Sequence, residues 1–173
     1  MRPGVARRSL LRLKQPQLNE RRRLALLIGN GTYQKVKSLK NPANDAALMA
    51  ETLRRIGFVV VMGTDKSLVE MKKLIREFGK ELRNGGGVGL FYFAGHGVQS
   101  RRLNYLIPVD ANIETDADLE DTSVNFNYLL NLMDDADNSL NIAILDACRN
   151  NPSWAAFGRR RKVWPKLKPP PEP

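Results

Sequence analysis

The sequence predicts an α/β fold, a mainly parallel sheet with helices on both faces. Three observations carry that expectation. Short, almost wholly apolar runs recur at Leu24–Ile28, Phe58–Val61, Val88–Ala94 and Asn141–Leu145; strands buried on both faces read this way. Between these runs lie longer stretches with apolar residues three and four positions apart, the period of an amphipathic helix. The two kinds alternate along the chain, as βαβ units require.

Each element follows in order. Leu24-Ala25-Leu26-Leu27-Ile28 is a first strand that stops at Gly29, and Asn30 to Lys40 is a loop. Pro42 to Arg55 is a helix with Ala46, Met49, Ala50 and Leu53 on one face, and Gly57 is its stop. Phe58–Val61 is a second strand. Ser67 opens the next helix, with Glu70 three residues on in the capping-box pattern. Leu68, Met71, Leu74, Phe78 and Leu82 make its apolar stripe. Asn84-Gly85-Gly86-Gly87 turns the chain into the third strand. Gln99 to Asn104 reads as an exposed turn and Tyr105-Leu106-Ile107 as a short strand. Residues 110–121 are acidic and are expected to form a solvated loop, because neither spacing nor glycine fits an EF-hand. Phe126 to Met133 is a helix, and Asn141 to Leu145 the last strand.

Length and composition bound the classes available. A chain of 173 residues with 42% apolar residues fits one ordinary domain. The net charge of +10 is uneven: residues 1–23 carry +7, residues 151–173 carry +5, and residues 24–150 carry −2. The expected organisation is thus a basic lead (1–23), a near-neutral domain (24–150) and a basic, Pro-rich tail (151–173). Basic tails can meet phosphates, but no aromatic residues interleave with these charges, so solvated ends are preferred over nucleic-acid binding. No apolar run approaches the length of a membrane helix. Arg7-Arg8-Ser9-Leu10-Leu11 lacks the apolar stretch of an export signal, which leaves a cytoplasmic protein as the default. One Cys excludes an internal disulfide, and one His with one Cys cannot make a His/Cys metal site. Neither Gly29-Asn30-Gly31 nor the Asn84–Gly87 turn matches a phosphate-binding fingerprint. No cofactor is expected.

The single His and the single Cys carry the chemistry. His96 follows the run Val88–Gly95, and Cys148 follows Ile142–Ala147. Both are expected just past the carboxyl end of a buried strand, the edge at which open α/β sheets bind ligands. A thiol and an imidazole brought together there make a nucleophile and its base. Taken singly, each has a plainer reading. A lone Cys is often a small buried hydrophobe, and a His can simply cap a strand. The polar run Arg149-Asn150-Asn151-Pro152 after the Cys, and Gly95 and Gly97 on either side of the His, favour an edge and a close approach.

Four segments carry a resemblance: Leu24–Asn30, Asn44-Asp45-Ala46, Tyr92-Phe93-Ala94-Gly95-His96-Gly97 and Asp146-Ala147-Cys148-Arg149. They resemble the large-subunit portion of the caspase/metacaspase clan of cysteine proteases (peptidase family C14), most closely the bacterial caspase-like proteins. In caspases the His lies about 50 residues before the Cys; here the interval is 52. The resemblance implies a three-layer caspase-like fold in which Cys148 is the nucleophile and His96 the general acid/base, with no third residue. The backbone N–H groups of Gly97 and Cys148 would form the oxyanion hole.

Asp45 and Asp146 match acidic positions that line the pocket for the residue before the cut in metacaspases. Two carboxylates would favour Arg or Lys there, so peptides or proteins with basic residues are the expected partners. Arg101-Arg102 and Arg159–Lys162 become candidate self-cleavage sites. The plainer reading leaves Asp45 to suit a helix N-terminus and Asp146 to bond local backbone. The resemblance further implies that a small-subunit part after Cys148 is missing, which leaves a truncated product, a large subunit needing a small subunit or dimer partner, or a remnant as the readings. Calcium dependence, common in metacaspases, has no ligand motif here. Two departures are Asn150, where the family carries Gly, and Ala94, where some metacaspases carry Ser. The alternative to an enzyme is a silent caspase-like module whose basic tails recruit partners.

Overall fold

The computed structural model describes residues 22–85 and 87–148. The expected lead and tail lie outside them, apart from Arg22 and Arg23. Six strands and four helices follow in the order β1 (Arg23–Gly29), α1 (Pro42–Arg55), β2 (Val59–Thr64), α2 (Leu68–Gly85), β3 (Val88–Ser100), β4 (Leu103–Leu106), α3 (Asp118–Thr122), β5 (Val124–Asn125), α4 (Phe126–Asp134) and β6 (Leu140–Cys148).

The sheet is mixed. β2, β1, β3 and β6 lie side by side and run parallel. The far end of β3 then pairs antiparallel with β4, and β4 with β5. The expected α/β architecture of a mainly parallel sheet flanked by helices is therefore present. Strand alternation sends side chains to two faces. Ala25, Leu27, Leu90 and Tyr92 pack with Ala46, Ala50 and Leu53 of α1. Leu24, Leu26, Ile28, Phe91 and Phe93 pack with α2 and α4 through Met71, Ile75, Phe78, Leu82, Leu129 and Met133. β1 and β3 are buried on both sides, which explains their continuous apolar runs.

Local signals explain the helix ends. Pro42 takes the first turn of α1, where its missing N–H costs nothing. Gly57, at φ +86°, ends that helix and donates to the Arg54 carbonyl. The Glu70 carboxylate accepts from the Ser67 N–H at 2.9 Å and from its Oγ at 2.7 Å, so the capping box at the head of α2 is real.

The structure departs from the sequence reading in several places. β4 spans Leu103–Leu106 instead of Tyr105–Ile107, so Leu103 and Asn104 are strand and not turn, and α3 and β5 have no counterpart in that reading. β2 runs on to Thr64, and β6 from Leu140 to Cys148. β3 does not stop before His96. It continues to Ser100 because its far half finds a new partner in β4, through a two-residue turn at Arg101 (φ +48°) and Arg102 (φ +67°). His96 therefore lies within a strand, and Cys148 is the last residue of one, rather than either lying beyond its strand. Finally, residues 110–121 are not simply a solvated loop. Ala111, Ile113 and Leu119 are buried with Val109, Tyr33 and Ile107 in a third apolar cluster, and the acidic residues between them face out.

Candidate active site

Sheet register brings the two reactive residues together. β3 and β6 pair in parallel from Val88 opposite Leu140 to His96 opposite Cys148. The two strands thus place His96 and Cys148 in register at the carboxyl end of the parallel sheet. At the next residue, Gly97, β3 has already exchanged β6 for β4, where it faces Leu106. Gly97, Leu106, Leu145 and Ala147 line a small apolar cleft beside this junction.

His96 is held from three directions by the β1–α1 loop and the start of the segment after β4. Its ring Nε2 lies 2.7 Å from the Lys37 backbone carbonyl. A carbonyl can only accept, so Nε2 carries a proton, and in the neutral ring Nδ1 is left as the acceptor. The His96 N–H donates to Tyr33 Oη at 2.7 Å. Its carbonyl accepts from the Ile107 N–H at 3.0 Å. The Tyr33 and His96 rings lie 4.5 Å apart, tilted by 52°. Gly95 has no room for a side chain: a Cβ there would stand 2.7 Å from Tyr33 Oη. The close approach expected at the glycine before His96 is that of Tyr33.

The loop that carries Tyr33 and Lys37 is itself pinned. Asp65, just past β2, accepts from the N–H groups of Gly31 and Thr32, each at 2.8 Å, and from Thr32 Oγ1. Partial burial raises the Asp65 pKa, but these hydrogen bonds and Lys66 outweigh it, and the carboxyl ends below its usual range. Asn30 is fully buried at the end of β1. Its Oδ1 accepts from the Lys66 N–H at 2.9 Å, and its Nδ2 donates to the Ile107 carbonyl at 3.2 Å.

The two acidic residues converge on Tyr92. The Tyr92 hydroxyl donates to Asp146 Oδ2 at 3.4 Å. Burial, and then the negative charges of Asp146 and Asp45, push the Tyr92 pKa up to about 12. Asp45 stands in the first turn of α1 and Asp146 near the end of β6, opposite Ala94 of β3. Asp146 is exposed and Asp45 half-buried. Asp146 thus bonds the Tyr92 hydroxyl directly, and Asp45 acts on it through charge.

Of the residues named from sequence, the register sets His96 opposite Cys148 with Gly97 next along β3, while Asp146 bonds Tyr92 and Asp45 acts on Tyr92 through charge alone. It missed Tyr33, the Lys37 carbonyl and Tyr92. A carbonyl leaves no trace in sequence. Tyr33 left a faint one, the single aromatic of its loop, with a hydroxyl that needs a partner when buried.

The chain belongs to the caspase family: the caspase-domain family model matches residues 22–167. It is 34% identical over 127 residues to the human mucosa-associated lymphoid tissue lymphoma translocation protein 1, and equally to the mouse homolog. Those alignments cover 73% of this chain and 15% of each relative, so the chain spans a small part of the curated proteins it matches. No helix among the described residues is long and apolar enough to cross a membrane.

Proposed function

We propose that this chain is a cysteine endopeptidase in which Cys148 and His96 cleave peptide bonds after Arg or Lys. The observation that carries the proposal is the strand register that sets His96 opposite Cys148, with the imidazole's Nε2 tied to Lys37 and Nδ1 free. In this reading the Cys148 thiolate attacks the scissile carbonyl carbon, forming the C–S bond. Backbone N–H groups of Gly97 and Cys148 stabilise the oxyanion, each such donor being worth about 3 kcal/mol of barrier. The protonated His96 gives its Nδ1 proton to the leaving amine as the C–N bond breaks. His96 then takes a proton from the water that hydrolyses the thioester. Asp45 and Asp146 receive the cationic side chain of the residue before the cut. Membership of the caspase family supports the reaction class, and the convergence of both carboxylates on Tyr92 supports the basic preference.

Fluorogenic peptides ending in Arg, Lys or Asp test the reading. Cleavage after Arg and Lys is expected, with loss of about 10³-fold or more in Cys148→Ala and in His96→Ala. Cleavage after Asp would keep the dyad and remove the acidic pocket. No hydrolysis by folded protein, with or without calcium, would leave a catalytically silent member of the family. The candidate self-cleavage pair Arg101-Arg102 sits at a tight hairpin tip, and the pair's second candidate, Arg159–Lys162, lies outside the described residues.

A further inference from the structure

The structure assigns Tyr33 as a positioning residue for His96: its hydroxyl takes the His96 N–H while its ring braces the imidazole whose Nε2 is held by the Lys37 carbonyl. The inference rests on the proposed peptidase reading only for its kinetic consequence; the positioning itself is a matter of geometry.

Three contacts argue for it. The shortest is the bond from the His96 N–H to Tyr33 Oη, at 2.7 Å. A strand residue ordinarily gives its N–H to a neighbouring strand. Here a side chain takes that donor at the residue where β3 changes partner from β6 to β4. The second is the ring contact at 4.5 Å between centroids, which leaves the imidazole little freedom about its χ angles. The third comes from the other side of the hydroxyl, which donates to the Ile107 carbonyl at 3.3 Å. Ile107 in turn gives its own N–H to the His96 carbonyl. One phenol therefore closes a ring of bonds around the His96 peptide unit, and burial keeps that phenol protonated and able to donate.

The arrangement also accounts for the glycine before the histidine. Any β-carbon at position 95 would meet Tyr33 Oη at 2.7 Å, so Gly95 and Tyr33 fit only as a pair. Lys37 lies four residues after Tyr33 in the same loop. That loop thus supplies both a brace for the ring and an acceptor for Nε2, and together they fix which ring nitrogen is left as the acceptor. Tyr33 touches neither substrate nor sulfur in this account. It acts through His96.

The chain has one His and one Cys, which makes the test unusually clean. In Tyr33→Phe the Ile107 carbonyl keeps its bond from Asn30 Nδ2, so the group left without a partner is the His96 N–H. The ¹⁵N resonances of the His96 ring and amide, and the pH profile of Cys148 alkylation by iodoacetamide, are followed in wild type, Tyr33→Phe and His96→Ala. The expected result is a changed His96 amide shift, a loosened Nε2–H signal, and an alkylation profile moved toward that of His96→Ala. Peptide turnover is expected to lose about 10- to 100-fold in kcat with KM little altered. Ring and amide signals unchanged from wild type would overturn the inference while leaving the peptidase reading intact. A wild-type profile already identical to His96→Ala would sink the peptidase reading instead, and the His96 signals would still decide the role of Tyr33. Should Tyr33→Phe fail to fold, 3-fluorotyrosine placed at position 33 keeps the hydroxyl. Its ¹⁹F signal must then move as His96 titrates, and a static signal overturns the inference.

Discussion

At the scale of single residues, Asp146 combines a bond to Tyr92 with an exposed position. Asp146 accepts from the part-buried Tyr92 hydroxyl, at a rather long 3.4 Å, and is itself exposed. A carboxylate committed to structure would be expected to bind closer and sit deeper. The bond to Tyr92 uses one lone pair and leaves the others for a guanidinium. If Asp146 receives the cationic side chain of a substrate, Asp146→Asn should remove a charge-assisted bond worth about 1.5–3 kcal/mol. That corresponds to roughly 10- to 150-fold in kcat/KM for Arg peptides, with a smaller loss for peptides bearing a neutral residue there. Asp45→Asn should show the same selectivity more weakly, because its carboxylate makes no direct bond to Tyr92 and also suits the α1 dipole. Equal losses on charged and neutral peptides would assign both acids to structure. Composition could not show this arrangement, since Tyr92 reads as one more apolar residue in a buried strand; only the two carboxylates around its hydroxyl distinguish it.

Elements differ in how openly they declare themselves. α1 was legible to the residue, Pro42 to Arg55, because Pro marks its start, Gly57 its stop, and the apolar face keeps one period. α2 was legible at its head for a local reason, the Ser67–Glu70 box. Its buried face was read less completely, since Ile75 sits fully buried beside the expected stripe. β3 was misjudged at its far end, and the reason is tertiary. Nothing in Gly97-Val98-Gln99-Ser100 announces a strand until β4 folds back to pair with it. The same holds for β5, two residues long and defined only by its pairing with β4. The head of α2 supports a pH prediction. Bonds from Ser67 and then Lys66 hold the Glu70 pKa down to about 2, against about 4.3 in an unstructured chain. A depressed pKa means the ionised carboxylate stabilises the fold at neutral pH. That stabilisation is intact above about pH 4.3 and is lost as pH falls through about 2. Urea melts of wild type should therefore weaken over this window, and Glu70→Gln should show a flatter acid limb with a lower plateau at pH 7. Parallel acid limbs in the two proteins would remove Glu70 as a contributor.

For the molecule as a whole, the question is what fixes the carboxyl edge of the sheet, where loops from distant parts of the sequence must meet. The parallel strands themselves only deliver residues to that edge. Asn30 ties the edge together. It follows β1 directly, and its N–H donates to the Ala94 carbonyl of β3. Its side chain accepts from Lys66 between β2 and α2 and donates to Ile107 after β4. Three chain segments thus share one buried amide, and through Ile107 the network reaches the His96 carbonyl. The sequence marked Asn30 as part of a resembling segment without saying what it does, because its partners lie 36 and 77 residues away. Asn30→Ala should leave the Lys66 N–H without an acceptor and cost about 1–3 kcal/mol. A lower denaturation midpoint with an unchanged m-value is expected, since the loss falls on one network and not on the extent of burial. The His96 ring resonances should broaden in the same variant, because Ile107 then keeps only Tyr33 on its carbonyl. A midpoint within about 0.5 kcal/mol of wild type would be the change seen at an ordinary surface site. It would return the task of organising this edge to the apolar packing of Tyr33, Ile107 and Leu119 beneath it.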